Sequence, residues 1–305
     1  MVANNSELEK LIPVDPLEGS NIECFHYMGS HWLDTLQNME LKLSKTSDFN
    51  DVFDGRGSCI NKLKNELIKE HITRVVATNI QHTTQNVVDE IAQRLDVVDN
   101  VDTYSQGFRD AFVERRISDE WRVACFAKPK DMNADALMWS HYANHWKGVR
   151  LGFRLLYDLH REIDFKMMTT PYVLDYVRYT DERPVLDLSK VTSLEDDAVM
   201  TAYGHKTMVT KSTAWSYESE WRLCVDAPIA TVRYIANGPI SFWRFHPQLL
   251  RSIDMGPAMI ERDRDTLVEF VTQASSCYRH VDLNQVVLSE SSYTFEYKNI
   301  VQGAT

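Results

Sequence analysis

Residues 211–227 read KSTAWSYESEWRLCVDA, and from Trp221 onward the apolar side chains Trp221, Leu223 and Val225 recur every second position. That period belongs to a β-strand with one face against a core. Glu218 and Glu220 stand at its mouth, two residues apart. In an extended chain, positions i and i+2 share a face, so the two carboxylates are expected to point the same way while Ser219 and Trp221 point the other. Like charges on one face repel unless a cation lies between them. Two readings stay open from the residues alone: the glutamates are ion-pair partners of Lys211 and Arg222 or solvated edge residues, or they are functional carboxylates that await a cationic partner.

Working outward, NIECFHYM (residues 21–28) reads as a strand, SHWLDTLQN as a short helix capped by Ser30, and MELKLS as a second strand with Leu41 and Leu43 alternating. The loop TSDFNDVFDGRG follows, in which Asp48, Asn50, Asp51 and Asp54 are placed to bond nearby backbone amides. It resembles a calcium loop only superficially, because D-x-D-x-D-G with a glutamate at the twelfth position is absent. Its expected task is to hold a turn and leave one carboxylate to support a site. From Ile60 to about Val98 the period changes to that of two helices, and a third around SQGFRDAFVERRI leads into the strand WRVACFA. DALMWSHYANHWKGVRLGF is expected as a helix running through its His and Trp residues, then a strand after Gly148. A strand at YVLDYVRYT, the opening motif, further strands, a helix at RDTLVEFVTQAS and a final strand pair complete the chain. The mixture predicts an α+β fold: an N-terminal arm over 1–20 and one domain over 21–300, with a helical insertion at about 58–118.

The chain has 305 residues, 44% hydrophobic and 25% charged, the composition of a folded globular protein rather than a disordered or fibrous one. A net charge of −11 argues against wrapping duplex nucleic acid through a generally basic surface. It also makes a magnesium nuclease built on the loop carboxylates less attractive. Five scattered cysteines, with no C-x-x-C pair, suit free thiols in a reducing compartment. No apolar run approaches the roughly 20 residues needed to cross a bilayer, so a cytoplasmic location and no membrane partner are expected. His141 and His145 are four apart, as on a zinc helix, but no glutamate and no further ligand cluster accompany them, so no metal is expected.

Three segments, LKLSKTSDFNDVFD, ACFAKPKDMNADALMWSHYANHWKGVRLGF and KSTAWSYESEWRL, resemble the bacterial family called domain of unknown function 2971. That family carries an F-N-D-P-F-[DE] loop, a [SC]-F-S strand end, an [LM]-W-x-H-Y-[AG] segment and a W-x-Y-E-x-E-[WY]-R-L motif. The resemblance runs in order from about residue 22 to 290, with Val52 where the family has Pro and Ala127 where it has Ser. The order of motifs is also similar to that of the ADP-ribosyltransferase superfamily. This second resemblance implies a split, mixed or antiparallel sheet, NAD as substrate, and a bacterial toxin or antiviral-defence role with a possible antitoxin or other partner protein.

Carried over by position, His26 matches the first-strand NAD holder, Cys125 to Ala127 the middle strand, and Glu218 to Glu220 the late glutamate motif. Departure of nicotinamide makes the ribose oxocarbenium-like, and a fixed carboxylate stabilises that developing charge. The resemblance then implies that Glu220 binds the ribose and Glu218 orients or deprotonates the acceptor, which is a protein, a nucleic acid or water. Tyr142 or Trp139 stacks on nicotinamide, His26 donates to the adenosine ribose beside Tyr27, and Asn50 and Asp51 border the same NAD site. Against these stand plainer readings: His26 as a hydrogen-bonded core residue, and Trp139, Tyr142 and Trp146 as core aromatics at helical spacing. Two other functions remain: a non-catalytic sensor or protein-binding module on the same fold, which Ala127 favours, and a hydrolase of NAD or another nucleotide.

Overall fold

The computed structural model describes residues 20–61, 67, 121–157, 172–193, 198–235, 238–273 and 275–303. Apart from Ser20, the expected N-terminal arm lies outside the described residues, as does nearly all of the expected helical insertion. In chain order the elements are β1 (Ser20–Met28), α1 (Trp32–Asn38), β2 (Glu40–Leu43), β3 (Ser58–Ile60), β4 (Trp121–Ala127), α2 (Met132–Tyr142), β5 (Val149–Tyr157), β6 (Val173–Tyr176), β7 (Arg178–Tyr179) and β8 (Val185–Asp187). They continue with α3 (Ala198–Met208), β9 (Thr210–Lys211), β10 (Glu220–Asp226), β11 (Thr231–Ile235), β12 (Gly238–Arg244), β13 (Leu250–Met255), α4 (Glu261–Thr272), β14 (Asp282–Leu288) and β15 (Phe295–Val301).

Among the described residues, eight strands form one mixed sheet in the order β15-β14-β13-β5-β1-β4-β10-β6. Only β13 and β14 run parallel, and α4 supplies the crossover that a parallel pair requires. The α and β elements intermix as the α+β reading expects. A second sheet, β11-β12-β2, packs Trp243 and Phe245 against the main one.

Register divides the main sheet into two chemically different faces. Cys24, Phe126, Leu151, Phe153, Leu223 and Ile253 lie on one face and form a dry core with Trp243, Phe245 and Leu267. Each such large apolar side chain stabilises the fold by roughly 1.5–3 kcal/mol when removed from water. The other face carries Asp254 opposite Arg150 and Arg222 opposite both Cys125 and Asp175, all of them save Cys125 buried charges. Helix α2 and the segment before β10 cover this polar face.

Strand β4 changes partner along its length. It pairs with β10 throughout, from Trp121↔Asp226 to Ala127↔Glu220, but with β1 only at Phe25↔Ala127. At Val123 its neighbour is instead Ser44, at the end of β2, through two backbone hydrogen bonds of 2.8 and 2.9 Å. Between these two points β1 and β4 part, and the cavity described below opens there.

Two local expectations are corrected. Ser30 does not cap α1: His31 holds the N-cap position, and no side-chain cap bond is made. Helix α2 starts at its Asp131 cap, which accepts from Ala134 N–H at 2.9 Å, but it stops at Tyr142. Asn144, His145 and Trp146 then take left-handed conformations with φ of 49°, 53° and 67°. Such residues cost roughly 1–2 kcal/mol each. The turn is held by the Trp146 ring stacked on Trp139, by Trp146 N–H to the Trp139 carbonyl, and by Ala258 N–H to the Trp146 carbonyl. His141 and His145 therefore do not share a helix face.

Candidate functional site

The gap between β1 and β4 is a cavity of about 410 Å³, within the roughly 300–1,000 Å³ of small-molecule sites. One wall is Phe25, His26 and Tyr27 of β1, and the facing wall is residues 123–127 of β4. Lys42 and Ser44 close one side with Phe49, Asn50 and Asp54 of the loop, while Met138, His141 and Tyr142 of α2 lie over it with Lys211, Glu218 and Glu220.

The two glutamates do converge, though not as neighbours in a strand. Residues 213–218 form a 3-10 helix whose start is capped by Ser212, with Ala214 N–H bonding its hydroxyl at 3.4 Å. Ser219 ends it in a left-handed conformation, φ 44°, and β10 begins at Glu220. This kink turns Glu218 back beside Glu220, and both bond Lys211 Nζ, at 2.5 and 3.1 Å. Glu220 also accepts from Arg222 Nε at 2.8 Å and Nη2 at 3.1 Å, and Glu218 accepts from the Tyr142 hydroxyl at 2.6 Å. Asp54 completes the cluster, with Oδ2 at 2.7 Å from Arg222 and 3.5 Å from Lys211. The reading of the glutamates as partners of Lys211 and Arg222 therefore describes the geometry, and these residues are buried rather than edge-exposed. Asp54 is the loop carboxylate left to support the site.

Equal carboxylates have been given unequal environments. Burial acts to raise the Glu220 pKa, but Arg222 and Lys211 outweigh it and hold the group down at about 2. For Glu218, burial together with the adjacent Glu220 charge prevails over Lys211, and its pKa lies above the ordinary carboxylate value. Lys211 and Arg222 are pulled away from neutrality by the carboxylates, against the effect of burial. Three carboxylates face two cations, so one negative charge is uncompensated when Glu218 is ionised and none when it is protonated.

Acceptor capacity is equally uneven. A carboxylate offers about four lone-pair positions. Glu220 fills its positions with Arg222, Lys211 and the Cys125 thiol, whereas Glu218 uses two, on Tyr142 and Lys211. Asp54 Oδ1 is buried and has no hydrogen-bond partner.

His26 is on the cavity wall, with Nδ1 at 2.8 Å from the Cys125 carbonyl. A carbonyl only accepts, so Nδ1 carries the proton. Burial lowers the ring's pKa despite that bond, so the neutral ring keeps Nε2 as an acceptor. The expected donation from His26 is corrected accordingly: the neutral ring has no proton on Nε2 to donate and offers an acceptor there. Tyr142 and Asn50 line the cavity, and the Asn50 side chain also bonds the Tyr142 hydroxyl. Asp51 instead holds the turn by accepting from Phe53 N–H at 3.0 Å. Trp139 is not a ligand contact: it is 0% exposed, its indole N–H bonds Tyr297 at 2.9 Å, and Trp146 and Tyr27 pack against its ring.

Beyond the cavity, Tyr27 belongs to a second buried network that sequence reasoning missed. Arg150 pairs with Asp254 at 2.7 Å and Asp135 at 3.1 Å, and its guanidinium lies 4.0 Å from the Phe25 ring and 3.9 Å from the Tyr297 ring. Asp135 also accepts from the Tyr27 and Tyr297 hydroxyls. Helix α2 is thus tied to the sheet through Asp135 near its start and to the 3-10 segment before β10 through Tyr142 at its end. A signal was present: Arg150 stands between Val149 and Leu151, and Asp254 between Ile253 and Met255, each a charge with apolar strand neighbours on both sides.

Residues 138–223 match the model of the family described as a protein of unknown function, DUF2971. That stretch is narrower than the span of the sequence resemblance, yet it contains Tyr142, Lys211, Glu218, Glu220 and Arg222. No curated protein and no solved structure matches the chain. Among the described residues, no helix is long and apolar enough to cross a membrane.

Proposed function

We propose that the chain transfers ADP-ribose from NAD to an acceptor, in the manner of the ADP-ribosyltransferases, with the β1–β4 cavity as its active site. The observation that carries this reading is the pair Glu218 and Glu220, two carboxylates on one cavity wall whose pKa values are pushed in opposite directions. Such a pair divides the labour of acid–base chemistry. Glu220, held ionised and saturated with hydrogen bonds, fixes the negative field at the wall. Glu218 keeps free acceptor positions, and its raised pKa makes it the more readily protonated of the two.

In the reaction, the bond between ribose C1′ and the nicotinamide nitrogen breaks, and that nitrogen keeps the electron pair and loses its positive charge. An acceptor oxygen or nitrogen forms the new bond to C1′, and its proton passes to Glu218. The uncompensated negative charge of the cluster favours the oxocarbenium-like state over the neutral ground-state sugar. His26 Nε2 accepts from a ribose hydroxyl, and Tyr142 holds Glu218 in place.

The test is nicotinamide release from NAD by the purified protein, with and without cell lysate, beside Glu218→Gln. Release that stops in the variant supports the assignment, and dependence on lysate identifies a macromolecular acceptor. Undiminished release from Glu218→Gln, or none from the folded wild type, sinks it. One observation favours a second reading, a non-catalytic binding module: Glu220 has no lone pair left for a ligand, and Ala127 brings no hydroxyl to the wall. That reading expects ligand binding without turnover.

A further inference from the structure

The cavity has two kinds of unused polar group at different places on its wall. Lys42 of β2 and Ser44 just after its end line the cavity, while Leu41 and Leu43 are buried in the core. Among the described residues the Lys42 ammonium has no ion pair and the Ser44 hydroxyl no hydrogen bond. Lys211, the other lysine on the wall, is consumed by three carboxylates. Asp48, exposed on the same side, takes a hydrogen bond from Ser47 at 3.4 Å and does not pair with Lys42. Within the carboxylate cluster, Asp54 Oδ1 is a buried acceptor with no donor, and Glu218, which shares Lys211 with Asp54, has positions to spare. A buried acceptor left without a donor is costly, and a ligand hydroxyl there relieves that cost.

We propose that the cavity reads both ends of a phosphorylated sugar: Lys42 and Ser44 bind the phosphate, and Asp54 Oδ1 with Glu218 receives the sugar's hydroxyl protons. This deepens the ADP-ribosyl reading and rests on the same cavity, but it concerns recognition and needs no turnover. The ligand class is a nucleotide with a terminal ribose.

Calorimetric titration of the full chain with ADP-ribose, ADP and adenosine tests both ends. ADP-ribose binds most tightly, and removal of its terminal ribose, as in ADP, weakens binding about tenfold, the loss expected for a hydrogen bond to a charged group. Lys42→Gln weakens ADP-ribose and ADP about tenfold at low salt and leaves adenosine unchanged, and Lys42→Arg restores most of the affinity. Lys42 is exposed, so the variant's fold is not at stake, and its melting point verifies this. ADP-ribose no tighter than ADP overturns the hydroxyl end. Indifference of ADP-ribose to Lys42→Gln, or equal losses for all three ligands, overturns the phosphate end. Lys42-dependent binding without nicotinamide release refutes the transferase reading and leaves this one standing, whereas release with no ADP-ribose affinity does the reverse.

Discussion

Replacing Glu220 by Gln removes one charge and keeps the shape and an acceptor oxygen, so it isolates what the ionised carboxylate contributes. The folded protein holds this group at about 2 against an ordinary value of 4.5. At 1.36 kcal/mol per pH unit, that difference amounts to about 3 kcal/mol of stability at neutral pH. A folded-state pKa below the unfolded one means that the contribution is complete above about pH 4.5 and vanishes as pH falls through about 2. An unfolding entropy of about 2.1 cal/mol/K per residue gives about 0.6 kcal/mol/K for 305 residues, so Glu220→Gln lowers the melting point by about 5 °C at pH 7. The gap to wild type closes between pH 4.5 and 2. Glu218→Gln runs the other way: its raised pKa means that ionisation costs stability above the folded value, so the neutral amide melts at or above wild type at pH 7. Differential scanning calorimetry across pH 2–7 measures both. Equal melting losses at the two positions, or a Glu220→Gln deficit that does not shrink in acid, would show that Arg222 and Lys211 do not discriminate between the glutamates.

Tyr142→Phe deletes the 2.6 Å donor to Glu218, which raises the Glu218 pKa further, so the acidic limb of nicotinamide release moves to higher pH at a stability cost of about 1–2 kcal/mol; an unchanged limb counts against Glu218 as the base. Asp135→Asn leaves Arg150 with one buried carboxylate fewer and disturbs the Tyr27 and Tyr297 bonds. Its expected cost is about 3–5 kcal/mol in urea unfolding, and a cost under about 1 kcal/mol means that the network is not tightly packed. Gly148→Ala brings a Cβ to 2.0 Å from the Met28 carbonyl oxygen, a backbone clash that no rotamer relieves, so we expect loss of soluble folded protein or a melting point at least about 5 °C lower.

Much of this molecule was legible because its strands obey a period of two. The apolar alternation of 221–225 locates β10, and that of Leu41 and Leu43 locates β2. The convergence of Glu218 and Glu220 was also legible, but its cause was not: the left-handed Ser219 interrupts the extended chain, and a serine does not announce that conformation as a glycine would. Asp54 meets Arg222 across 168 positions, a pairing that no local pattern encodes. The helix was read too long at its C-terminal end because Asn144, His145 and Trp146 keep an aromatic spacing compatible with a helix, while the contacts that reverse the backbone there come from Trp139 and Ala258. For Trp139 the helical spacing with Tyr142 and Trp146 is the better guide: it points to the core, where the ring is buried, and the resemblance alone suggests a ligand contact.

The change of partner along β4 bears on how the site tolerates mutation. Alternation puts the Cys125 N–H and C=O on the same edge as those of Val123, which bond Ser44, and the Cys125 carbonyl already holds His26. The seam between β1 and β4 is therefore lined by main chain as well as by side chains, and main-chain groups survive any substitution but one to proline, which removes the N–H. A lineage can trade serine for alanine at position 127 and still present the same edge, so drift in these side chains is a poor guide to whether the pocket has been abandoned.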